Sequence, residues 1–557
     1  MILGKIHVPS IQRKRSGGPG RRQSTLPAVA LALLLAGCAA EDAASIGRLG
    51  AVEGYLGGVV ADEPQAALIG RDVLSAGGSA ADAAVAMYFA SAVTLPSAAS
   101  LGGGGVCVAF DAGRGEARAL EFLARAPRRV AADADRPTAI PGNVRGFFLL
   151  HARYGRLTWS QVLGPAESLA RDGIRVSRAF ASDLGQVADA LLAEPETRRV
   201  FAVAGGGRIV GEGDVLRQPE LASVLSMIRI ELPGRFYTGP LAATLAAAAA
   251  EAGGSLDTED LRDYRPVWRD PISLPFDNEV VLFAPPPPPG GLLAAQLWTI
   301  LTERNRYRNA PAAERPHLRA EAMLRAYADR TRWRLDDEAA AAEVEARLAR
   351  PHIDALMADY RPDVHRSPTA LGLPVSGEPE NPSAATFLAV DRKGSAVACA
   401  VTLNSLFGTG RVAAGTGIVL ASLPGPGGRG ARSLAPMLVV NRNVNEFHFA
   451  AAAAGGVAAP PAMIDVAARV LVDGEPLDEA LAARRVFGSG DPDLVFVERG
   501  FDAAALAALA ERGHRLGETP ALGRVNAIAC PGGAPTQKEA CSVKTDPRGF
   551  GLAAGAD

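Results

Sequence analysis

The segment SAADAAVAMYFASAV, Ser79 to Val93, has helical composition and almost no polar face. Ser79 is suited to cap it and Pro96 to end it, so the spacing predicts a helix from Ala80 to about Val93. A helix whose faces are nearly all Ala, Val and Met must be covered on every side. The neighbouring segments supply the cover. Ala66, Ile69, Val73 and Leu74 follow helical spacing, and Gly77 and Gly78 stop that helix. GGGGVCVAF reads as a strand, Gly113 as a turn, and ARALEFLARAP as the return strand. TFLAVD, a turn at Lys393 and Gly394, and SAVACAVTLN form a second such pair. Helical patterns occupy residues 142–195, 217–262 and 315–360, and Pro285 to Pro289 break the chain before another helix. The expectation is a layered α/β protein with mostly antiparallel strands.

Composition excludes several functions. With 58 Lys+Arg against 60 Asp+Glu the formal net charge is −2, so no global field gathers nucleic acid. HExxH, CxxC pairs, GxSxG and GxxxxGK[ST] are all missing from the sequence. The 7 histidines are scattered through the chain, so neither a metal nor a cofactor is expected.

The N-terminus carries Lys5, Arg13, Lys14, Arg15, Arg21 and Arg22 before an apolar run from about Pro27 to Ala36. That run is too short to span a bilayer, which takes about 20 apolar residues, and it reads as a signal. It ends in LAGC at Cys38, which resembles the bacterial lipobox. The resemblance implies removal of residues 1–37, a lipid on Cys38, and a tether over 38–56. The expected location is the periplasmic side of a membrane, with the outer membrane preferred because Ala39 follows the cysteine. Among the other cysteines, Cys107 and Cys399 sit in apolar strand patterns and read as buried thiols. Cys530 and Cys541 flank a Gly/Pro turn, either as a local disulfide worth roughly 3 kcal/mol or as two loop thiols.

Several stretches, in order, resemble the γ-glutamyltransferase (glutathione hydrolase) family. They are GGSAADAAVAMYFASAVTLPSAASLGGGG, AIPGNVRGFFLLHARYGRLTWSQVLGPAESLARDGIRVS, LRDYRPVWRDPI, the PPPPPGG run, EAMLRAYADR, TFLAVDRKGSAVACAVTLNSLFGTGRVAAGTGIVL and GGVAAP. The resemblance covers nearly everything from about residue 57 onward. It implies an N-terminal-nucleophile hydrolase fold, an αββα sandwich of two mainly antiparallel sheets between helical layers. Self-cleavage would give a large-subunit-like region, 57–382, and a small-subunit-like region, 383–557, which stay associated. A residue freed at the small subunit's N-terminus would attack a γ-glutamyl or related acyl amide and pass the acyl group to water or an amino-acid acceptor. Such a residue carries its own base, because its α-amine takes the hydroxyl proton. Gly455 and Gly456 match the family's oxyanion-hole pair. Thr402 and Asn404 match residues that support the nucleophile and bind the acyl group, and Ser433 matches one of two substrate-binding serines.

The departures fall at the chemistry. The nucleophile position is Ala384, which cannot attack; of the nearby hydroxyls Thr386 is the first candidate for a displaced nucleophile and Ser383 the weaker one. Thr386 shares the strand face of position 384 but lies about 6.6 Å further along. Ser383 points the other way. The arginine that grips the substrate carboxylate is replaced by Leu123, with Arg125 two residues on, and the acid that pairs with the substrate ammonium falls near Pro426 in SLPGPGGRG, which contains no acid. Three readings follow: an enzyme with a displaced nucleophile, an inactive member kept as a binding or scaffold lipoprotein, and an acylase for substrates lacking an α-amino group.

Overall fold

A computed structural model describes residues 56–556 apart from 252–253, 255, 336–339, 372–382, 426–430 and 535–540. Cys38, Pro426 and the segment just before Ser383 therefore lie outside the described residues. The strands of the two large sheets are, in chain order, β1 (Gly57–Ala61), β2 (Gly104–Asp111), β3 (Glu116–Phe122), β4 (Val267–Arg269), β5 (Ile272–Phe276), β6 (Glu279–Phe283), β7 (Ala385–Asp391), β8 (Ala396–Thr402), β9 (Met437–Asn441), β10 (Glu446–Ala454), β11 (Arg524–Ala534), β12 (Ser542–Lys544) and β13 (Leu552–Ala556). One sheet runs β13-β1-β7-β8-β2-β3-β4 and the other β12-β11-β10-β9-β6-β5. Every neighbouring pair in both is antiparallel.

The central strands β1, β2, β7 and β8 are buried on both faces, which is why they read as unbroken apolar runs. In β8, Ala396, Ala398 and Ala400 face the core between the sheets, whereas Val397, Cys399 and Val401 face an outer helical core. The outer layer on the first sheet includes α1 (Pro64–Ser75), α2 (Ala80–Thr94) and α3 (Asn143–Tyr154). On the second sheet it includes α4 (Gly290–Thr302), α5 (Arg315–Arg330) and α6 (Ala459–Leu471). The order of layers is helix, sheet, sheet, helix, as expected.

The α2 helix is buried along its whole length. Its start is fixed by a reciprocal cap: the Ser79 hydroxyl accepts from the Asp82 amide at 3.1 Å, and Asp82 accepts from the Ser79 amide at 2.9 Å. Such a cap contributes about 1 kcal/mol. The same carboxylate accepts from the amides of Arg156 and Leu157, holding the turn that follows α3.

The two regions on either side of 372–382 are interleaved. β1 lies between β7 and β13, so a strand from the first region pairs on both edges with strands from the second. Cys107 and Cys399 require a correction. They are directly opposed on β2 and β8 and form a disulfide, with Cα atoms 4.0 Å apart. Each was readable as a buried small side chain, but strand register alone makes them partners. Cys530 and Cys541 also form a disulfide.

Candidate active site

Antiparallel order brings the start of β7, the end of β8, the starts of β2 and β9, and the end of β10 to the same end of the sandwich. Ala384 precedes β7 there and packs with Leu388 and Val390 against the core between the sheets, so its methyl group faces that core. Thr402, at the end of β8, donates from its hydroxyl to the Ser383 carbonyl and accepts from the Asn404 amide at 2.9 Å. That carbonyl belongs to the peptide bond between Ser383 and Ala384. Thr402 thus polarises the bond a nucleophile at position 384 would attack, but a methyl group occupies that position.

Asn404 has a left-handed backbone, φ 69°, and its amide nitrogen donates to the Ser422 carbonyl at 2.9 Å. Its Oδ1 is buried and has no partner among the described residues. The Ser433 hydroxyl, in the turn that leads to β9, is likewise buried and without a partner there. That turn lies against Gly456–Ala458, the turn after β10. Gly455 and Gly456 have φ values of 127° and 61°, and a Cβ on Gly455 would stand 2.8 Å from the Gly523 Cα. Only glycine fits such a turn. Among the described residues no acceptor engages either glycine's N–H. The Tyr327 hydroxyl donates to the Val457 carbonyl and fixes the turn to α5.

The two replacement hydroxyls differ in setting. Thr386 shares with Ala384 the side of β7 that faces the other sheet, as expected, but is 1% exposed and lies within the strand ladder. Its hydroxyl donates to Asp62 at 3.0 Å and accepts from Asn526 at 2.7 Å, and its amide donates to Asp62 at 2.8 Å. Asn526 lies on β11, so Thr386 ties one sheet to the other. Ser383 is half-buried before the ladder begins, and its hydroxyl donates to the Ser97 carbonyl at 3.2 Å. The Ser97 hydroxyl donates to Asp183 at 2.6 Å. Burial pushes the Asp183 carboxyl above its ordinary range, against this hydrogen bond and the charge of Arg524. No sequence motif marked Asp62, Asn526 or Asp183.

Leu123 packs against the core between the sheets. Arg125 pairs with the buried carboxylate of Glu121 at 2.5 Å, so a substrate carboxylate would have to share it.

Two antiparallel sheets between helical layers, with an N–H pair at the end of the sandwich where a central strand begins, define the N-terminal-nucleophile hydrolase class. Residues 66–556 match the family model described as Gamma-glutamyltranspeptidase, and the chain belongs to that family. It is 30% identical to the glutathione hydrolase proenzyme of Escherichia coli (strain K12) over 515 residues, 85% of this chain and 88% of the relative. It is 29% identical to the acylase ACY 1 proenzyme of Pseudomonas sp. (strain V22), over 86% of this chain and 90% of that one. Among solved structures, the cephalosporin acylase from Bacillus halodurans superposes with a TM-score of 0.77 at 25% identity, covering 91% of this chain and 97% of that one.

Proposed function

We infer that the protein is a γ-glutamyltransferase-like hydrolase of γ-glutamyl or related acyl amides. The observation that carries this reading is the set of polar groups at this end of the sandwich that lack partners among the described residues: the Gly455 and Gly456 N–H groups, the Ser433 hydroxyl and Asn404 Oδ1. The buried Asn404 Oδ1 and Ser433 hydroxyl cost about 1–3 kcal/mol each while they lack partners, and a bound acyl amide would satisfy them while its oxyanion takes the half-buried glycine N–H groups.

Ser383 is the better nucleophile candidate. Cleavage before it would free an α-amine on the same residue and release it from the preceding chain, so that its hydroxyl can turn. Thr386 is held by the ladder and by Asp62 and Asn526. The hydroxyl proton passes to the α-amine, the oxygen bonds to the acyl carbon, and the amine leaves with a proton. Water then cleaves the ester. The absence of an acid in SLPGPGGRG favours acyl groups without an α-ammonium, such as glutaryl amides, over γ-glutamyl ones. The LAGC sequence supports export and a lipid on Cys38; in detergent phase separation, wild type should enter the detergent phase and Cys38→Ala the aqueous phase.

The deciding experiment is N-terminal sequencing of any C-terminal fragment, with amine release measured from paired glutaryl and γ-glutamyl amides. A fragment starting at Ser383 and loss of turnover in Ser383→Ala are expected. Ala384 favours a second reading, a binding protein that keeps the frame without turnover. An uncut chain that binds the amides and releases no amine would establish it and reject the first.

A further inference from the structure

The histidines that look scattered in sequence are partly gathered by the fold. His317 and Glu321 stand one turn apart on α5, His365 lies in the loop after the helix Arg350–Leu356, and His514 follows the helix Ala503–Glu511. The backbone amide of His365 donates to the Arg512 carbonyl at 2.7 Å, which joins the two loops. His317, Glu321 and His514 are buried, and one ligand atom from each lies within 4.8 Å of the others. His317 Nδ1 is 2.7 Å from His514 Nε2, and His514 Nε2 is 3.9 Å from Glu321 Oε1. His365 Nδ1 is 2.7 Å from the same Glu321 oxygen.

We propose that His317 Nδ1, His365 Nδ1, His514 Nε2 and Glu321 Oε1 form a site for one divalent transition-metal ion of the zinc class. The groups behind these ligands support it. His317 Nε2 lies 2.8 Å from the Arg361 carbonyl, which takes that nitrogen's proton and leaves Nδ1 as a lone pair facing the cluster. His365 Nε2 lies 3.2 Å from Asp493, the carboxylate–histidine arrangement typical of metal ligands. Arg325 bonds Glu321 Oε2 and orients the carboxylate so that Oε1 faces the histidines. That oxygen also accepts from the Arg366 amide at 3.2 Å. His514 differs from the other two, since its Nδ1 is buried without such a group behind it among the described residues. Zinc bonds of about 2.0–2.1 Å place tetrahedral ligand atoms about 3.3 Å apart, a value bracketed by the 2.7 and 3.9 Å separations among His317, His514 and Glu321; His365, held to Glu321 at 2.7 Å but outside that group of three, must swing inward to complete the site. Small side-chain shifts would exchange the present hydrogen bonds for metal bonds.

With all positions filled by protein the site is structural in type. It would pin the loops at His365 and His514 to α5, the helix that also carries Tyr327 and so braces the oxyanion turn.

The test uses the full chain, purified and stripped with a chelator. Metal content after gel filtration in excess zinc chloride, and visible absorption on titration with cobalt chloride, are measured beside His317→Gln, His514→Gln and the control His448→Gln. His448 lies by Glu279 and Glu446 away from the cluster. Expected are one zinc per chain, a tetrahedral cobalt spectrum complete at one equivalent, and affinity lowered about 10- to 100-fold or more in His317→Gln and His514→Gln only. If wild type retains no stoichiometric metal and cobalt stays octahedral, the cluster is a hydrogen-bonded ion network and the proposal fails. Wild-type binding is itself decisive, so the result does not depend on the variants folding.

Discussion

Cys107 and Cys399 face each other across β2 and β8, 292 residues apart in sequence and on opposite sides of the segment 372–382. Any cleavage in that segment or at Ser383 therefore leaves two polypeptides joined by a disulfide. On denaturing gels a matured protein should run as one species without reductant and as two with it. Two bands without reductant would show that the bridge is absent. Closure of so long a loop contributes on the order of 5–6 kcal/mol in the chain-entropy model, so Cys107→Ala/Cys399→Ala should lower the melting temperature markedly.

Ala384→Thr places a hydroxyl on the side of the chain that faces the core between the sheets, beside a Ser383 carbonyl already hydrogen-bonded by Thr402. The variant should split its own chain before residue 384, which intact mass would register as two fragments. Adding Thr402→Val should slow that cleavage by roughly 10- to 100-fold, the worth of about 1.5–3 kcal/mol in a hydrogen bond to developing charge.

Thr386 acts as a tie between sheets. Thr386→Val leaves the Asn526 amide and the Asp62 carboxylate each without one partner, at a cost of about 1–3 kcal/mol in denaturant unfolding. Cleavage and turnover, measured at a temperature where the variant is folded, should match wild type. Loss of turnover in a folded variant would return the nucleophile role to Thr386.

Gly455→Ala would bring a Cβ to 2.8 Å from the Gly523 Cα at a φ of 127°. The turn must shift and carry its N–H groups with it. Acyl-amide turnover should fall by roughly 100- to 1000-fold, as for loss of one oxyanion donor, with a smaller effect on substrate binding.

Glu63 caps α1 by accepting from the Ala66 amide at 2.9 Å, and it also accepts from the Thr94 hydroxyl at 2.8 Å. Burial, against those hydrogen bonds, raises its carboxyl above the ordinary 4.5. The folded protein therefore holds this proton more tightly than the unfolded chain. The group's contribution is fully present below about pH 4.5 and is lost as pH rises through the folded value. Glu63→Gln should thus gain stability relative to wild type as pH rises from about 4.5 through the folded value, and melting curves should show the difference growing over that window and levelling off above it.

Much of the fold was legible because its signals are local. Ser79 with Asp82, the Gly77–Gly78 stop, the turn at Lys393 and Gly394 and the break at Pro285 each act within a few residues. The apolar runs of β2, β7 and β8 announced strands covered on both faces. At the site, the alternation of strand faces placed Thr386 on the side of Ala384, and the structure bears that out. The burial of Thr386 and its ties to Asp62 and Asn526 were not legible, because those partners lie 324 and 140 residues away.

The sequence by itself determined the alternation of helices and buried strands, the family, and the alanine at position 384, since each depends on residue identity and short-range spacing. Only the tertiary structure decided that Cys107 meets Cys399, that Thr386 ties the sheets together, and that His317, His365 and His514 converge on Glu321. Those relationships depend on strand register and on which loops pack against α5, and both are fixed by the packing of distant segments rather than by local preference.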